Sequence, residues 1–227
     1  MISLDARLLA CAEYVSGKGI ACDVGTDHAY LATYLIESGR CNYVIASDIN
    51  DGPLQSARRT IEKHQYQERI ALIKSDGLKN IDSNGITDVI IAGMGAETIC
   101  QIIEDAKWLR SEVNLILQPM TKEPTLRKWL YMNGFEILCE QAVIEDDYSY
   151  VIMRVGYTGI KKRIGSLMAY TGKLDFSKEQ SKKYLGSKAR RLMIQGEGLL
   201  NTSAGLKLGK RKIELANKII EFIEGDR

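Results

Sequence analysis

Short, continuous apolar runs alternate with helical segments through the first half of the sequence. Such runs are typical of strands buried on both faces, and they occur at 19–24 ("GIACDV"), 43–48 ("YVIASD"), 69–76 ("RIALIKSD"), 87–95 ("TDVIIAGMG") and 113–120 ("VNLILQPM"). Segments with helical spacing lie at 6–15, before the first run, at 28–39, 51–64 and 97–109, between runs, and at 125–134, after the last run. Five βα units in series predict an α/β fold built on a doubly wound parallel sheet.

The pattern changes after Gly134. Residues 135–155 contain two β-rich runs joined through the acidic "EDD" at 145–147, with no helical spacing between them. Two such runs without a crossover predict an antiparallel hairpin. We therefore expect a Rossmann-like sheet that is mostly parallel and whose last strand is antiparallel.

The composition limits the classes of protein to consider. With 227 residues and 45% hydrophobic side chains, the chain can bury a full core with a smaller appendage, which excludes a disordered protein. No apolar stretch approaches the roughly 18 residues of a membrane helix, and no basic start leads into an apolar run. Five scattered cysteines without a C-x-x-C spacing argue against a zinc site and against disulfides. We expect a cytoplasmic protein with reduced, mostly buried thiols, no metal and no membrane partner.

Charge is divided unevenly along the chain, although the net charge is only +2. Residues 1–155 carry 15 basic and 22 acidic side chains, whereas residues 156–227 carry 16 basic and 7 acidic ones. Clustered Lys and Arg attract nucleic acid independently of its sequence. The second part is thus predicted either to contact phosphates or to present an ordinary solvated helical face.

Acidic residues follow three of the predicted strands. Asp23 ends the first strand and Asp48 ends the second, while Asp76, followed by Gly77, ends the third. The carboxyl ends of parallel strands share one edge of the sheet, where ligands of such folds bind. We therefore expect these carboxylates to surround a ligand.

The turn "GTDHAY" keeps only the first glycine of the G-x-G-x-x-G pattern that lets backbone amides approach a pyrophosphate. Asp27 at the second glycine position would repel phosphate, while Asp48 suits ribose hydroxyls. This combination predicts a positively charged nucleoside without phosphates, S-adenosylmethionine, with Asp27 near its methionine end. The alternative is that Asp23 and Asp48 only cap the following turn and helix. The expected cofactor-binding residues are Asp23, Gly25, Asp27, Asp48, Ile49, Asp76, Gly77 and Gly93.

Several segments resemble a known family. They are "DVGTDHAYL", "ASDINDGPLQSA", "KSDGL", "IAGMGAETI" and "LILQPMTKEPTLRKWL", with "LDARL" near the start, and over roughly residues 4–155 they resemble the bacterial tRNA (adenine-22-N1)-methyltransferases. The resemblance implies a class I methyltransferase fold, S-adenosylmethionine as methyl donor, and methylation of N1 of adenine 22 in the D-arm of tRNA. Ala32 and Ala96 depart from the family's "DHAYLP" and "GMGG", and Ala96 adds a methyl group where clearance for the target base matters.

The same resemblance directs methyl transfer to the turn after the fourth strand. Methylases of amino-purines with this fold hold the target base where this chain has Gly93, Met94 and Gly95, which otherwise form only a tight turn. N1 of neutral adenine already carries a lone pair, so the reaction mainly needs positioning. The base must also be extruded and held by stacking. Tyr148 and Tyr150, on one face of a strand, are either the stacking partners or core residues. The expected catalytic residues are Asp27, His28, Gly93, Met94 and Tyr148.

Other polar residues have two interpretations each. His28, at a helix start, is either catalytic or structural. Arg7 is expected to reach the cofactor mouth or an RNA phosphate, or to pair with Asp5 or another carboxylate. His64, at a polar helix end, is expected at the surface.

Apolar or small residues recur at steps of three and four in the last part of the chain. They are Leu185, Ala189, Leu192, Gly196 and Leu199, and, after "NTSAG", Leu206, Gly209, Ile213, Ala216, Ile220 and Ile223. This spacing predicts a short antiparallel coiled-coil hairpin. Lys188 and Lys207 are expected to point outward, together with the residues expected to bind RNA: Lys182, Lys183, Arg190, Arg191, Lys210, Arg211 and Lys212.

We thus predict two domains, a methyltransferase domain that binds S-adenosylmethionine at 1–157 and a basic helical coiled-coil domain that binds tRNA at 158–227. The expected macromolecular partner is tRNA, and the expected state is a monomer or a weak homodimer. Two other functions stay open. One is methylation of a small molecule or protein, with the hairpin serving dimerisation, and the other is RNA binding without catalysis, with a vestigial cofactor site.

Overall fold

In the part of the chain that the structure describes, seven strands form one sheet. They are β1 (Ile20–Val24), β2 (Tyr43–Asp48), β3 (Ile70–Lys74), β4 (Ile86–Gly95), β5 (Asn114–Thr121), β6 (Phe135–Glu145) and β7 (Tyr148–Tyr157). The helices are α1 (Ala6–Glu13), α2 (Tyr30–Glu37), α3 (Asp51–His64), α4 (Ala96–Asp105), α5 (Glu123–Met132), α6 (Ser166–Thr171), α7 (Glu179–Leu200) and α8 (Leu206–Gly225), with a 3-10 helix at Lys107–Leu109. The computed structural model describes residues 2–17, 19–200 and 205–225.

The strand order is β3-β2-β1-β4-β5-β7-β6. The first five strands pair in parallel, and β7 lies antiparallel between β5 and β6. The order reverses between β1 and β4, which opens a crevice at the carboxyl ends of the strands. The predicted Rossmann-like sheet and its antiparallel hairpin are confirmed.

The third βα unit has no helix. The sequence pattern placed none after this strand, so the expectation of five complete βα units in series is wrong at this point. Residues 75–85 form turns instead of a helix. Asn80 bonds back to the end of β3, through its Nδ2 to the carbonyl of Lys74 (3.0 Å) and through its backbone N–H to Ser75 Oγ (3.1 Å). Such local bonds compete with helix formation, and Gly77 and Gly85 have positive φ angles of 58° and 77°.

Two hydrophobic clusters cover the two faces of the sheet. Consecutive residues of a strand point to opposite faces, so Val89 and Ile91 join the cluster beneath α4 and α5, while Ile90 joins the cluster beneath α1, α2 and α3. Both faces of β4 and β5 are thus buried. This explains why these strands appear in the sequence as continuous apolar runs.

Helices α7 and α8 pack against each other as the predicted hairpin. A Cβ built on Gly209 would lie 2.7 Å from the carbonyl oxygen of Gly196, so small residues are needed at this crossing. The predicted seam is wrong at two positions, because Leu206 is exposed and Ile219, rather than Ile220, is buried. After Ala216 the seam advances by three residues instead of four. The connection at 201–204, within "NTSAG", lies outside the described residues.

The base of the hairpin shares the core of the sheet. Tyr184 and Leu185 belong to the same cluster as Val89 and Ile91 of β4, on the face covered by α4 and α5. Lys188 is not an outward residue as predicted, since only 12% of its side chain is exposed and its Nζ lies 2.5 Å from Oε1 of Glu123 on α5. The hairpin is therefore attached to the sheet by both apolar and ionic contacts.

Candidate active site

A cavity of about 390 Å³ opens at the carboxyl ends of β1 and β2, beside the turns after β3 and one side of α4. It lies where the strand order reverses, the usual ligand position in such sheets. Its walls are formed by Val24, Gly25, Asp48, Ile49, Asn50, Ser75, Asp76, Gly77, Leu78, Lys79, Met94, Thr98, Gln101, Ile102 and Asp105. The structure thus brings together five of the eight residues expected to bind a cofactor, namely Gly25, Asp48, Ile49, Asp76 and Gly77.

Asp48 occupies the end of β2. Its Oδ1 accepts the backbone N–H of Asn50 at 2.8 Å, which fixes the carboxylate at the mouth of the cavity. No donor among the described residues engages its Oδ2. The adjoining Ile49 is 53% exposed, so this corner presents both an acceptor for hydroxyl groups and an apolar surface.

The turn after β1 is held against β2. The backbone N–H groups of Gly25 and Thr26 both donate to the carbonyl of Ser47, at 2.8 and 2.9 Å. Asp23 is buried behind this turn, where its Oδ2 accepts the hydroxyl of Thr26 at 2.6 Å. Burial, together with the nearby charge of Asp48, raises the pKa of Asp23 to about 6, against the opposing effect of the Thr26 hydrogen bond.

Asp27 and His28 follow in the same turn but do not line the cavity. Asp27 has a φ of +48°, and 70% of its side chain is exposed. His28 stacks on Tyr30, with ring centroids 5.1 Å apart, and its Nε2 lies 3.7 Å from Asp27 Oδ2. Both side chains thus lie on the surface beside the cavity mouth.

The wall formed by the turns after β3 is not purely acidic. Asp76 pairs with the Nζ of Lys79 at 2.5 Å, and both residues line the cavity with Asp105 from the end of α4. Sequence reasoning missed Lys79 and Asp105. Lys79 could have been found from its position three residues after Asp76, but nothing in the sequence links Asp105 to this edge.

The last three residues of β4, Gly93–Gly95, form an irregular strand end whose pairing with β5 shifts register. This segment, called the Gly93 turn below, separates the cavity from the neighbouring half of the sheet edge. Gly93 has a φ of +82°, the left-handed region that favours glycine, and Gly95 is the N-cap of α4. Between them, Met94 lines the cavity, and a Cβ built on Gly25 would clash with its Cε. Gly93 and Met94 therefore lie between the cavity and the part of the sheet edge beside β5 and β7.

Two tyrosines stand on the other side of this turn, on β7. The rings of Tyr148 and Tyr150 lie nearly parallel at 6.3 Å between centroids, as strand alternation predicts. Tyr148 is 67% exposed and Tyr150 is partly buried. Gln118 at the end of β5 accepts the backbone N–H of Gly93 at 3.0 Å and the Nη1 of Arg7 at 2.9 Å. Sequence reasoning missed Gln118, because polarity alone does not identify a buried amide.

His64 is not the surface residue that was expected. Its side chain is 23% exposed, and its Nδ1 lies 2.7 Å from Oε1 of Glu37 at the end of α2. The hydrogen bond to His64 and that from the backbone of Ile2 hold the pKa of Glu37 below its ordinary value, although burial opposes this. His64 therefore joins two helices far from the cavity.

Most of the basic residues of the hairpin are exposed. Arg190, Arg191, Lys183, Lys210 and Arg211 are exposed, while Lys182 and Lys212 are partly buried. A second cavity, of about 560 Å³, lies between α6, α7 and α8 and is lined in part by Arg211 and Lys212. Arg211 and Lys212 thus border a cavity different from the one that Asp48 and Asp76 line.

Two kinds of site are not found in the part of the chain that the structure describes. No group of three or more His, Cys, Asp or Glu side chains is arranged to hold a metal ion. No described helix is long and apolar enough to cross a membrane.

Comparisons with known proteins agree with this geometry. The family model described as a methyltransferase domain matches residues 4–153. The tRNA (adenine(22)-N(1))-methyltransferase of Bacillus subtilis strain 168 is 33% identical over 176 residues, which are 74% of each chain.

Solved structures extend the similarity to almost the whole chain. The B. subtilis M1A22 tRNA methyltransferase TrmK superposes with a TM-score of 0.85 at 28% identity, covering 97% of this chain and 100% of the other. A Streptococcus pneumoniae protein, named as a putative tRNA (m1A22) methyltransferase in complex with S-adenosyl-L-methionine, gives a TM-score of 0.84 at 28% identity, covering 96% and 99%. The chain therefore belongs to the tRNA (adenine-22-N1)-methyltransferase family, which has a Rossmann-like methyltransferase fold.

Proposed function

We propose that this chain transfers the methyl group of S-adenosylmethionine to N1 of adenine 22 in tRNA. The proposal rests on the carboxylate-lined cavity where the strand order of the sheet reverses, and on the membership of the chain in this family. A methyl donor that combines adenosine with a sulfonium and an ammonium matches such a cavity. Because tRNA is the substrate, we also propose a cytoplasmic location, with a monomer or weak homodimer as the acting species.

The cavity residues fit the cofactor in chemistry and in size. Asp48 would accept the ribose hydroxyls, beside the apolar surface of Ile49 for the adenine ring. Asp76 and the backbone around Gly77 would border the base, with Lys79 balancing part of the charge. Asp23, Gly25 and Gly93 would border the methionine end, with Asp27 at the mouth. The family's cofactor, when bound, supplies an activated methyl group on a cationic sulphur.

The chain's own task is positioning. In the reaction a C–N bond forms at N1, the C–S bond breaks, its electron pair stays on sulphur, and the positive charge passes to the base. Alignment of this kind can lower a barrier by roughly 7–11 kcal/mol. We assign it to the turn Gly93–Gly95, whose Gly93 N–H is fixed by Gln118 (3.0 Å).

Tyr148 and Tyr150 are proposed to hold the extruded adenine. Their nearly parallel rings offer a stacking surface on the side of Met94 opposite the cofactor cavity. Asp27 and His28, at the cavity mouth, are proposed as polar contacts to the incoming nucleotide. Their exposure favours a role in binding over one in proton transfer.

The hairpin is proposed as the tRNA-binding domain, residues 158–227, attached to a methyltransferase domain at 1–157. Its charges give attraction to the RNA backbone without base specificity, so the choice of adenine is left to the pocket. The residues proposed to contact phosphates are Lys182, Lys183, Arg190, Arg191, Lys210, Arg211 and Lys212.

The test is transfer of labelled methyl groups into unmodified tRNA, followed by mapping of the modified position. We expect incorporation at adenine 22, and none when guanine replaces that adenine. Small-molecule and protein extracts are assayed in parallel. Transfer only to those extracts would favour a different methyltransferase, and tRNA binding without cofactor binding in calorimetry would favour an RNA-binding protein with a vestigial site.

A further inference from the structure

Arg7 extends from the first turn of α1 to the edge of the sheet where β4 and β5 end and β7 begins. Its Nη1 donates to Oε1 of Gln118 (2.9 Å), and its Nη2 pairs with Oδ2 of Asp5 (3.2 Å). Its Cζ lies 5.8 Å from the ring centroid of Tyr150. The side chain is 18% exposed, and its guanidinium has more N–H groups than these two contacts use.

Gln118 fixes this arrangement from below. It is fully buried at the end of β5, and its Oε1 accepts both from Arg7 and from the backbone N–H of Gly93 (3.0 Å). Its Nε2 donates to the carbonyl of Pro119 at 3.0 Å. A buried amide with its groups satisfied has one stable orientation. Arg7 and the turn proposed to hold the target base are therefore held by the same oxygen atom.

Arg7 stands at one end of a row of planar groups. The exposed Tyr148 is followed by Tyr150 at 6.3 Å and then by the Arg7 guanidinium at 5.8 Å. The carboxylates Asp48, Asp76 and Asp105 lie on the other side of Met94, in the cofactor cavity. Beside the tyrosines stand the guanidinium of Arg7 and two carboxylates. Asp5 pairs with Arg7, and Glu145, opposite Tyr148 in the sheet, accepts the backbone N–H of Ala6.

The direction of charge transfer decides what Arg7 can bind. Methylation moves positive charge from the cofactor to the adenine ring, so a cation directed at the ring would oppose the reaction. A guanidinium is instead matched to phosphate, with which it makes paired hydrogen bonds. An extruded nucleotide carries phosphates on both sides of its sugar, at the mouth of the pocket.

We propose that Arg7 binds a phosphate next to the target adenosine, and that Gln118 is the positioning residue that holds Arg7 and the Gly93 turn in register. The proposal rests on the proposed function, since it names a contact to the same RNA substrate. Arg7 thereby selects the extruded state of the nucleotide. The hairpin contributes general attraction to the backbone, and Arg7 acts at the reacting nucleotide.

The experiment is a double-substitution cycle between the protein and the RNA. A tRNA joined from two synthetic segments carries a neutral methylphosphonate in place of the phosphate on the 5′ or the 3′ side of the target adenosine. Single-turnover methylation is measured with saturating enzyme and cofactor. For the wild type we expect one of the two replacements to slow the reaction about 10- to 100-fold. On unmodified RNA, the Arg7→Ala variant should methylate more slowly than the wild type by a similar factor. On the methylphosphonate RNA, the rate of this variant should fall little further.

The matched control is Arg154→Ala. Arg154 is also partly buried, and its Nε donates to Oδ1 of Asn114 (3.0 Å) at the opposite end of β5. This variant should keep the full response to the methylphosphonate. In Gln118→Leu, the methylphosphonate should slow methylation by a smaller factor than in the wild type. Gln118→Glu keeps an acceptor oxygen for Arg7 and Gly93, so this factor should be larger in Gln118→Glu than in Gln118→Leu.

Calorimetry with the cofactor alone checks that each variant is folded. Arg7→Lys keeps the positive charge but not the paired N–H donors, so it should remain partly sensitive to the methylphosphonate. This variant replaces Arg7→Ala in the experiment if Arg7→Ala does not fold. The proposal would be overturned if the 5′ and the 3′ methylphosphonates each slowed methylation by Arg7→Ala as much as they slow the wild type. If the wild-type protein methylates no tRNA, the proposed function itself fails.

Discussion

Arg127 on α5 and Glu140 on β6 form an ion pair of 2.8 Å between Nε and Oε1, with 1% and 0% of the two side chains exposed. Arg127 also donates through Nη1 to the carbonyl of Ala169 (2.8 Å), in α6. Glu140 accepts in turn from the backbone N–H of Lys173, just after that helix. The pair thus joins the sheet to the segment that leads into the hairpin.

Neutralising one partner of this pair should destabilise the protein severely. In Glu140→Gln the guanidinium of Arg127 stays buried without a counter-charge, which typically costs about 3–5 kcal/mol. We expect the free energy of unfolding to fall by that amount in urea titrations.

The double variant Arg127→Met/Glu140→Leu tests the reason for that loss. Well-packed apolar residues remove the desolvation penalty of both ions, so this variant should be more stable than Glu140→Gln. It should still bind the cofactor, because the pair lies outside the cavity. If the double variant were the less stable of the two, the uncompensated charge would not be the cause of the loss.

The sequence was sufficient to predict the sheet and the acidic edge. Strands buried on both faces appear as continuous apolar runs, and residues at the ends of parallel strands must meet, so Asp48 and Asp76 were predicted together. The glycine-poor turn at Gly25 excluded a pyrophosphate and so predicted the class of cofactor. These inferences depend only on local periodicity and on the topology that it implies.

Other features depend on three-dimensional register, which periodicity does not define. Gln118 is polar within an apolar run, and only the pairing of β5 with β4 brings it beneath Gly93. Lys188 has the spacing of a solvated helix face, yet it meets Glu123, 65 residues earlier, because the hairpin lies against α5. The burial of Ile219 in place of Ile220 depends on the way in which α7 and α8 cross, which the residue spacing does not define.

Replacing Asp48 should weaken cofactor binding specifically. Loss of hydrogen bonds to a charged acceptor costs about 1.5–3 kcal/mol, so Asp48→Ala should raise the Kd for S-adenosylmethionine by about 10- to 150-fold in calorimetry. Asp51→Ala is the matched control. Asp51 lies three residues further on, is exposed and pairs with Lys74 at 2.7 Å, but does not line the cavity. Equal effects of the two substitutions would mean that the Asp48 carboxylate does not hold the ribose.

Asp23 should make the stability of the cofactor-free protein decrease as pH rises. Its pKa is raised from 3.8 to about 6 in the folded state by burial and by Asp48. Between these values the folded protein holds a proton that the unfolded chain has released, so the free energy of unfolding falls from pH 4 to 6 and stays low above pH 6. Asp23→Asn lacks this titration and should be the more stable protein above pH 6, by up to about 3 kcal/mol. If the free energies of unfolding of the two proteins changed equally between pH 4 and 6, Asp23 would not titrate in this range.

The same carboxyl should couple cofactor binding to pH. A cationic ligand beside Asp23 favours its ionised form, so the affinity of the wild type for S-adenosylmethionine should increase from pH 5 to 7, with proton release on binding near pH 6. Asp23→Asn should bind more weakly at pH 7 and show little change over this range. Calorimetry in buffers of different ionisation enthalpy measures the protons released. No release at pH 6 would place the cationic end of the cofactor away from Asp23.

Removing three charges from α8 should reduce the salt dependence of tRNA binding. Each cation that neutralises a phosphate contributes about 0.7–0.9 to the slope of log K against log salt concentration. The triple variant Lys210→Ala/Arg211→Ala/Lys212→Ala should therefore bind tRNA more weakly at low salt, with a slope smaller by about 2–3. The control removes Arg58, Arg59 and Lys63, three exposed cations of α3, which packs beside β2 and β3 at the opposite end of the sheet from β6. If both triple variants lower the slope equally, the attraction comes from the net charge of the protein, and the hairpin is not a defined RNA-binding surface.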